Sequence, residues 1–207
     1  MMREEDTEDT RERLLSAALK QFAERGFYGA SIAQIAAELD LTKQALLYYF
    51  KRKEDLYGEV LKRITGNLLA GIQSVINPAD TPQEQFESLV LGYYATVRSN
   101  PDGARVLLRE LMDNSRASAP REKWYMKNLI DAVLAQLDKV ETLSDVPRAK
   151  KFACMYQIAS AVEYFTVSEA LLKRLYGEEE FAALSAAYPE QLRAQVRHLI
   201  ECGHHDM

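Results

Sequence analysis

The sequence predicts an all-α fold. Apolar residues recur at three- and four-residue steps along nearly the whole chain of 207 residues, and the polar–apolar alternation of strands is almost absent. Several of the six prolines follow residues that can cap a helix. A proline in the first helical turn costs no hydrogen bond, so these positions mark helix starts.

Composition and charge fit an ordinary globular chain, with 47% hydrophobic and 28% charged residues. The net charge is −5, so any contact with nucleic acid must come from a local patch. An apolar run of about 18 residues is missing, and the acidic start lacks the features of a signal peptide. We expect a cytoplasmic protein without a membrane span, in which Cys154 is a small buried thiol.

Two helices are predicted before residue 40. The first begins near Thr7 or Thr10, buries an apolar stripe that includes Leu14, Ala18 and Phe22, and ends at Gly26. The second follows Ser31, which is a predicted N-cap that forms a capping box with Gln34.

A short third helix is predicted after a tight break at Asp40–Leu41, with Thr42 as its cap and Tyr49 near its end. A connecting helix covers residues 53–76 and is ended by Asn77–Pro78. The later helices are predicted at about 82–99, 101–114, 120–141, 147–176, 178–187 and 189–202, and Pro189 starts the last of them.

Two short helices joined by a sharp turn and braced by a third are typical of a helix-turn-helix, whose second short helix enters the major groove of DNA. Ala45, Leu46 and Phe50 are spaced to face the bracing helix, which leaves Tyr48 and Tyr49 outward. Phenol and ammonium groups bind phosphate oxygens. Between Leu41 and Lys53 every charged residue is positive, and these residues are Lys43, Lys51, Arg52 and Lys53.

The segment GFYGASIAQIAAELDLTKQALLYYFKRKEDLYGEVL resembles the N-terminal domain of TetR-family transcriptional regulators. The resemblance covers about the first 65 residues and implies a homodimer on a pseudo-palindromic double-stranded DNA operator. It also implies a C-terminal helical domain that binds a small effector and dimerises. We expect a DNA-binding domain at 7–52, with the helix-turn-helix at about 31–50. The connecting helix at 53–76 and the effector-binding and dimerisation domain at 77–202 would follow.

The resemblance assigns six residues to DNA. Thr42, Lys43 and Gln44 would lie at the end of the third helix that enters the groove, and Tyr48, Tyr49 and Lys53 would hold phosphates. Lys43 suits guanine and Gln44 suits adenine, although one sequence does not decide whether both reach bases. The chain departs from the family pattern by having Leu47 for tyrosine, Tyr49 for histidine and Lys51–Arg52 for Pro-Ser.

The stretch from Phe152 to Leu172 predicts a dimer face, because its only charged residues are Glu163 and Glu169. A helix with apolar residues on nearly every side must be shielded from water on nearly every side, either by its own domain or by a partner chain. Family resemblance pairs this helix with the final one. The expected interface residues are Ala161, Ser168, Leu172, Leu175, Leu192, Val196 and Leu199.

An effector pocket is also expected, and its candidate residues are Tyr93, Met112, Trp124, Met155, Tyr156 and Glu163. With so few polar groups, the effector should be largely hydrophobic or aromatic. Glu163 has two interpretations. It could bind a polar or cationic group of the effector, or it could lie at the wet rim of the dimer interface.

The sequence also bears on three functions other than that of a DNA-binding regulator with an effector. No Gly-rich phosphate loop or nucleophile–base set indicates an enzyme, and Glu201 with His204 forms a single E-x-x-H motif where a di-iron bundle needs two. We expect no cofactor and no metal. An all-helical carrier of an apolar ligand and an architectural DNA binder without an effector stay open. The effector, the operator, the regulated genes and the choice between repressor and activator are not readable from the sequence.

Overall fold

The computed structural model describes residues 4–112 and 125–202, with side chains for 7–112 and 127–201. Regular structure in these residues is entirely helical, as predicted. No helix among them is long and apolar enough to cross a membrane. The helices are α1 (Glu4–Gly29), α2 (Ile32–Ala37), α3 (Lys43–Tyr49), α4 (Lys53–Ser74), α5 (Pro82–Ser99), α6 (Pro101–Met112), α7 (Tyr125–Leu137), a 3-10 turn (Glu141–Leu143), α8 (Arg148–Val167), α9 (Glu169–Tyr176) and α10 (Glu178–Cys202).

The described residues form two compact units. The N-terminal unit contains α1 to α3, α4 as far as Thr65, and α6 from Asp102. The C-terminal unit contains α4 from Gly66, α5, and α7 to α10. The grouping of α6 with the N-terminal unit was not expected from the sequence. The functional domains at 7–52, 53–76 and 77–202 stay a prediction.

The core of the N-terminal unit is built on α1. Leu14, Ala18 and Phe22 are buried on one stripe of this helix, as predicted. Gly26 does not end α1 but kinks it, with a φ of 68° that an L side chain would adopt only with strain. Beyond the kink, Phe27 and Phe22 pack against Tyr57 of α4, with ring centroids 5.2 and 4.8 Å from that of Tyr57.

The predicted cap of α2 is wrong in detail. Ser31 stands at the N-cap position with extended backbone, but its side chain makes no cap hydrogen bond. Gln34 is not part of a capping box, because its Oε1 accepts a hydrogen bond from Arg25 Nη1 at 2.8 Å. Helix α5 begins at Pro82, as predicted. Thr81 and Glu84 form a reciprocal capping box around Pro82.

Pro189 lies inside α10 and does not start a helix, which corrects the prediction. A proline within a helix leaves the carbonyl four residues earlier without its usual donor. Here that carbonyl belongs to Ser185, and it accepts a hydrogen bond from the Tyr94 hydroxyl at 3.4 Å. The Tyr188 ring also stacks on Tyr94, with centroids 5.5 Å apart. Contacts with α5 therefore allow the helix to continue through the proline.

Two glycines let α4 and α5 approach closely in the C-terminal unit. A Cβ built on Gly71 would lie 2.2 Å from Thr96 Oγ1, and one on Gly92 would lie 2.5 Å from Val75 Cγ2. Thr96 has little freedom to move away, since it is β-branched and its hydroxyl donates to the Gly92 carbonyl at 2.8 Å. This crossing therefore requires glycine.

We predict opposite effects for alanine at two glycines of α4. Gly71→Ala should lower the free energy of unfolding by about 1–3 kcal/mol, because the new methyl group overpacks the crossing. Gly66→Ala should raise it by up to about 1 kcal/mol, because nothing lies within 4 Å of its Cβ position and alanine favours the helix. Urea denaturation of the two variants measures both changes. Equal stability of the two variants would contradict the close crossing.

Candidate nucleic-acid interface and effector site

The turn of the helix-turn-helix is a Schellman motif. The Leu41 N–H donates to the Ala36 carbonyl at 3.0 Å, and the Asp40 N–H donates to the Ala37 carbonyl at 3.2 Å. Asp40 adopts a φ of 57°, a left-handed conformation that aspartate tolerates better than most residues. The predicted break at Asp40–Leu41 is thus confirmed.

The third helix has one buried side and one exposed side. Thr42 caps it, and its Oγ1 accepts a hydrogen bond from the Ala45 N–H at 3.2 Å. Leu46 and Phe50 are buried and fix the helix on the N-terminal core. Tyr48 points outward and is 81% exposed. The hydrophobic positions therefore determine which polar groups face solvent.

Six side chains define what we call the reading surface: Thr42, Lys43, Gln44, Tyr48, Tyr49 and Lys53. Thr42, Lys43, Gln44 and Tyr48 are exposed, while Tyr49 and Lys53 are partly exposed. The Tyr49 ring packs edge-on against Tyr48, with centroids 5.5 Å apart. This contact limits the positions that the two hydroxyl groups can take.

Lys53 is held at the start of α4. Its ammonium group lies 4.8 Å from the centroid of the Phe27 ring and 3.5 Å from the Tyr28 carbonyl oxygen. The cation–π contact positions the ammonium group, whose charge and the first-turn N–H groups of α4 favour an anion.

Arg52 is paired with an acidic side chain of α4. Its guanidinium donates two hydrogen bonds to the Asp55 carboxylate, at 2.8 and 3.2 Å. This hydrogen bonding raises the pKa of Arg52 above its ordinary value. Sequence reasoning counted Arg52 as a free positive charge and missed its partner, although an i, i+3 pair of opposite charges in a helix could have indicated it.

Helix α6 contacts the other helices of the N-terminal unit through polar groups that the sequence analysis did not identify. The Tyr57 hydroxyl of α4 donates to Glu110 Oε2 at 2.9 Å. Arg109 Nη2 donates to the Glu24 carbonyl oxygen of α1 at 3.2 Å. These bonds attach α6 to the two helices that carry the aromatic cluster under Lys53.

Glu163 lies inside the C-terminal unit and is 5% exposed. Its Oε1 accepts a hydrogen bond from the Tyr93 hydroxyl at 2.7 Å. Burial raises the pKa of Glu163 above its ordinary value, although the bond from Tyr93 acts in the opposite direction. Burial and the nearby carboxylate raise the pKa of Tyr93 well above its usual range.

Helices α8 to α10 expose a set of large apolar side chains. Tyr164 is 71% exposed and Leu175 is 62% exposed. Large apolar side chains that are exposed in one chain are candidates for burial by a partner. The set comprises Phe152, Tyr156, Tyr164, Leu171, Leu175, Tyr176 and Leu184, and we call it the apolar face.

The family model of tetR-type bacterial regulatory proteins matches residues 14–60. A transcriptional repressor of Streptomyces coelicolor is 31% identical over 136 residues, which is 66% of this chain and 67% of that protein. The chain belongs to the TetR family.

Further comparisons agree with TetR-family membership. The transcriptional activator FasR of Mycolicibacterium smegmatis is 26% identical over 100 residues, but the match spans 48% of this chain and only 46% of FasR. The crystal structure of a TetR-like regulator from Rhodococcus sp. RHA1 has the same fold, with a TM-score of 0.67 and 19% identity over 92% of this chain and 96% of that one. The six residues of the reading surface all lie within the matched segment 14–60.

The described residues expected to line a TetR-type effector pocket lie on several helices, and the pocket itself stays a prediction. Tyr93, Met155 and Glu163 lie on α5 and α8 of the C-terminal unit, and Met155 is buried while Tyr156 is exposed. Met112 belongs to the N-terminal unit and is 76% exposed, so we remove it from the pocket. Trp124 lies outside the described residues. Glu163 is too buried for the wet rim of an interface, so that interpretation is set aside.

The residues expected at the dimer interface divide into two groups. Ala161 and Leu175 are exposed, and Ser168, Leu172 and Leu199 are partly exposed, so these five remain candidates. Leu192 and Val196 are buried within their own chain, with 2% and 0% of their surface exposed. They stabilise the packing of α10 and offer no surface to a partner. The large exposed residues of α8, which are Phe152, Tyr156 and Tyr164, were not among the predicted interface residues.

We predict that Glu163→Gln stabilises the protein at neutral pH. Because the pKa of Glu163 is raised in the folded state, this group favours folding while it is protonated. That stability is lost as the pH rises from the ordinary glutamate pKa through the folded value. The melting temperature of the variant should therefore exceed that of the parent at pH ~8, and the difference should shrink towards pH ~4.5. A difference independent of pH would contradict this assignment.

Proposed function

We propose that this TetR-family regulator binds a pseudo-palindromic double-stranded DNA operator as a homodimer and acts as a repressor. A small effector bound in the C-terminal unit releases it from the operator. Tyr48 is the observation that carries the proposal, since an 81% exposed phenol next to Tyr49 has no structural use in the N-terminal core. Phenol groups on a recognition helix are suited to the DNA backbone.

The reading surface divides into two roles in this proposal. Tyr48, Tyr49 and Lys53 bind phosphates and fix the register of α3 in the major groove. Lys43 and Gln44 face the base edges, where lysine favours guanine and glutamine favours adenine. The Thr42 hydroxyl accepts the cap hydrogen bond of α3 and keeps its own proton to donate to DNA.

A second copy of the chain covers the apolar face of each subunit. The exposed residues of α8 and α9 support this assignment, because an apolar surface of this kind is typical of an isologous interface. Dimerisation lets two copies of α3 reach half-sites that are about 34–36 Å apart. Two weak contacts joined in this way bind far more tightly than either one alone.

Effector binding acts on the reading surface through α4 and α6. Helix α4 runs without interruption from Lys53 in the N-terminal unit to Ser74 in the C-terminal unit. Helix α6 follows α5 directly and holds the N-terminal unit through Arg109 and Glu110. An effector must bind the DNA-free conformation more tightly, and coupling of about 1–3 kcal/mol is typical.

The repressor assignment is supported by the Streptomyces relative, which is named as a repressor and is matched over two thirds of its length. An activator is also among the relatives, so the direction of control needs an experiment. TetR-family proteins are regulators and not enzymes, and we propose no catalytic role. As a regulator of genes, the protein would work in the cytoplasm.

A gel-shift titration against the DNA upstream of its own gene tests the proposal. We expect the specific duplex to bind more tightly than a random duplex of equal length. Two copies of Lys51 and Lys53 would neutralise about four phosphates, so affinity should fall by about 10²-fold between ~50 and ~200 mM salt. An apolar-ligand carrier would bind neither duplex, and that outcome would overturn the proposal. A reporter under the same promoter separates repression from activation.

A further inference from the structure

Glu163 is the exception among the carboxylates that help pack the C-terminal unit. Glu87 accepts hydrogen bonds from Arg193 and Arg197 at 2.7 and 2.8 Å. Glu169 is paired with Arg98 and Lys173, and the carboxylate of Asp138 is paired with the buried ammonium group of Lys151. Each of these carboxylates is less buried than Glu163, and each has a cation.

Within residues 7–112 and 127–201, Glu163 forms no ion pair with a cationic side chain. Among the described residues its one hydrogen-bond partner is the Tyr93 hydroxyl, and no arginine, lysine or histidine forms an ion pair with it. A buried carboxylate without a positive partner is costly in free energy. Such a group is retained where its counterion comes from outside the chain or where it stays protonated. Burial raises the pKa of Glu163, which agrees with a carboxyl group that is neutral until a cation arrives.

Several other side chains of α8 are buried on the same helix as Glu163. Met155, Val162 and Thr166 are buried on α8 together with Glu163, and the Thr166 hydroxyl is already satisfied by the Val162 carbonyl at 2.9 Å. The Tyr93 ring can also contact a cation through its face. No group of three His, Cys, Asp or Glu side chains gathers as a metal site in the part of the chain that the structure describes, which favours an organic cation over a metal ion.

We infer that Glu163 and Tyr93 form the polar end of the effector site, and that the effector is an apolar or aromatic molecule with one organic cationic group, such as an amine. This inference rests on the proposed function, in which the bound molecule acts as the effector. The binding of the cation itself does not depend on DNA. A cationic group at one end of the effector refines the expectation from the sequence, which was a largely hydrophobic or aromatic molecule.

Three probes with the same phenylbutyl scaffold test the inference by calorimetry on the purified protein without DNA. They are phenylbutylamine, phenylbutanol and phenylbutanoate, which are cationic, neutral and anionic at pH ~7. We expect the amine to bind most tightly. Glu163→Gln should weaken amine binding by about 10- to 100-fold, which is typical for the loss of a charged hydrogen-bond partner, and should leave the alcohol unaffected.

Two further variants serve as controls. Glu179→Gln makes the same chemical change at an exposed glutamate of α10 and should leave all three affinities unchanged. Tyr93→Phe removes the competing hydroxyl but keeps the ring, so the preference for the amine should persist. Circular dichroism verifies that each variant is folded.

The inference is overturned if the alcohol or the acid binds the parent protein as tightly as the amine. It is also overturned if Glu163→Gln keeps the preference for the amine, or if none of the three probes binds at millimolar concentration. Gel shifts without any probe report on the proposed function separately. A protein that binds DNA but ignores the amine would refute only the cationic effector.

Discussion

Tyr48→Ala and Lys53→Ala should each weaken binding to every duplex, whether or not it contains the operator. Both residues are assigned to phosphates, which carry no sequence information. A hydrogen bond to a charged group contributes about 1.5–3 kcal/mol, and a dimer loses it twice. We therefore expect a loss of about 10²–10⁴-fold for each variant in fluorescence anisotropy at constant salt. Lys53→Ala should also reduce the salt dependence by about one contact per subunit.

Lys43→Ala and Gln44→Ala should behave differently, because these residues are assigned to base edges. Each should relax the preference for one base pair in each half-site, by about 1–3 kcal/mol, and change binding to random DNA much less. Lys62→Ala, at an exposed lysine of α4, provides the control and should have little effect. Unchanged affinity in all four reading-surface variants would mean that α3 is not the recognition helix.

Leu175→Glu should convert the protein to a monomer. Leu175 is 62% exposed in one chain, and the proposed second copy would bury it. Two unpaired carboxylates in an apolar interface should raise the dimer dissociation constant by about 10²–10³-fold for each copy. Sedimentation velocity at micromolar concentration measures the oligomeric state. Operator binding should fall with it, since one subunit reads only one half-site.

Leu111→Glu is the matched control for this experiment. It introduces the same charge at an exposed leucine of α6, outside the apolar face. We expect this variant to sediment like the parent protein. A Leu175→Glu protein that stays dimeric would exclude the apolar face as the interface, and a parent protein that is already monomeric would exclude the dimer altogether.

The sequence predicted most of the helices and the exposed side of α3, because both follow from local rules. Thr42 and Thr81 cap helices by bonding to N–H groups three residues away. Tyr48 is exposed because Leu46 and Phe50 occupy the positions that face the core. Such information lies within a few residues of the position concerned, so periodicity and capping chemistry are sufficient to find it.

The features that the sequence did not predict depend on contacts between distant residues. Pro189 stays within α10 because Tyr94, far away in the chain, satisfies the freed carbonyl of Ser185. The burial of Val196 and the exposure of Met112 depend on which helices pack together. Periodicity marks a residue as apolar, but it does not distinguish the interior of one chain from a surface that a second chain covers. The partner of Glu163 is also remote, since Tyr93 lies 70 positions away.

The ion pair between Arg52 and Asp55 bears on how quickly this regulator can respond. The carboxylate holds a guanidinium that would otherwise be available to the DNA backbone, so in the proposed complex each subunit would bind its operator with less than its full positive charge. A regulator that dissociates slowly would keep its genes silent long after the inducing signal appears. Under the proposed function, the acidic residue at position 55 would therefore shorten the residence time on DNA, and a single substitution there would exchange rapid induction for tighter repression.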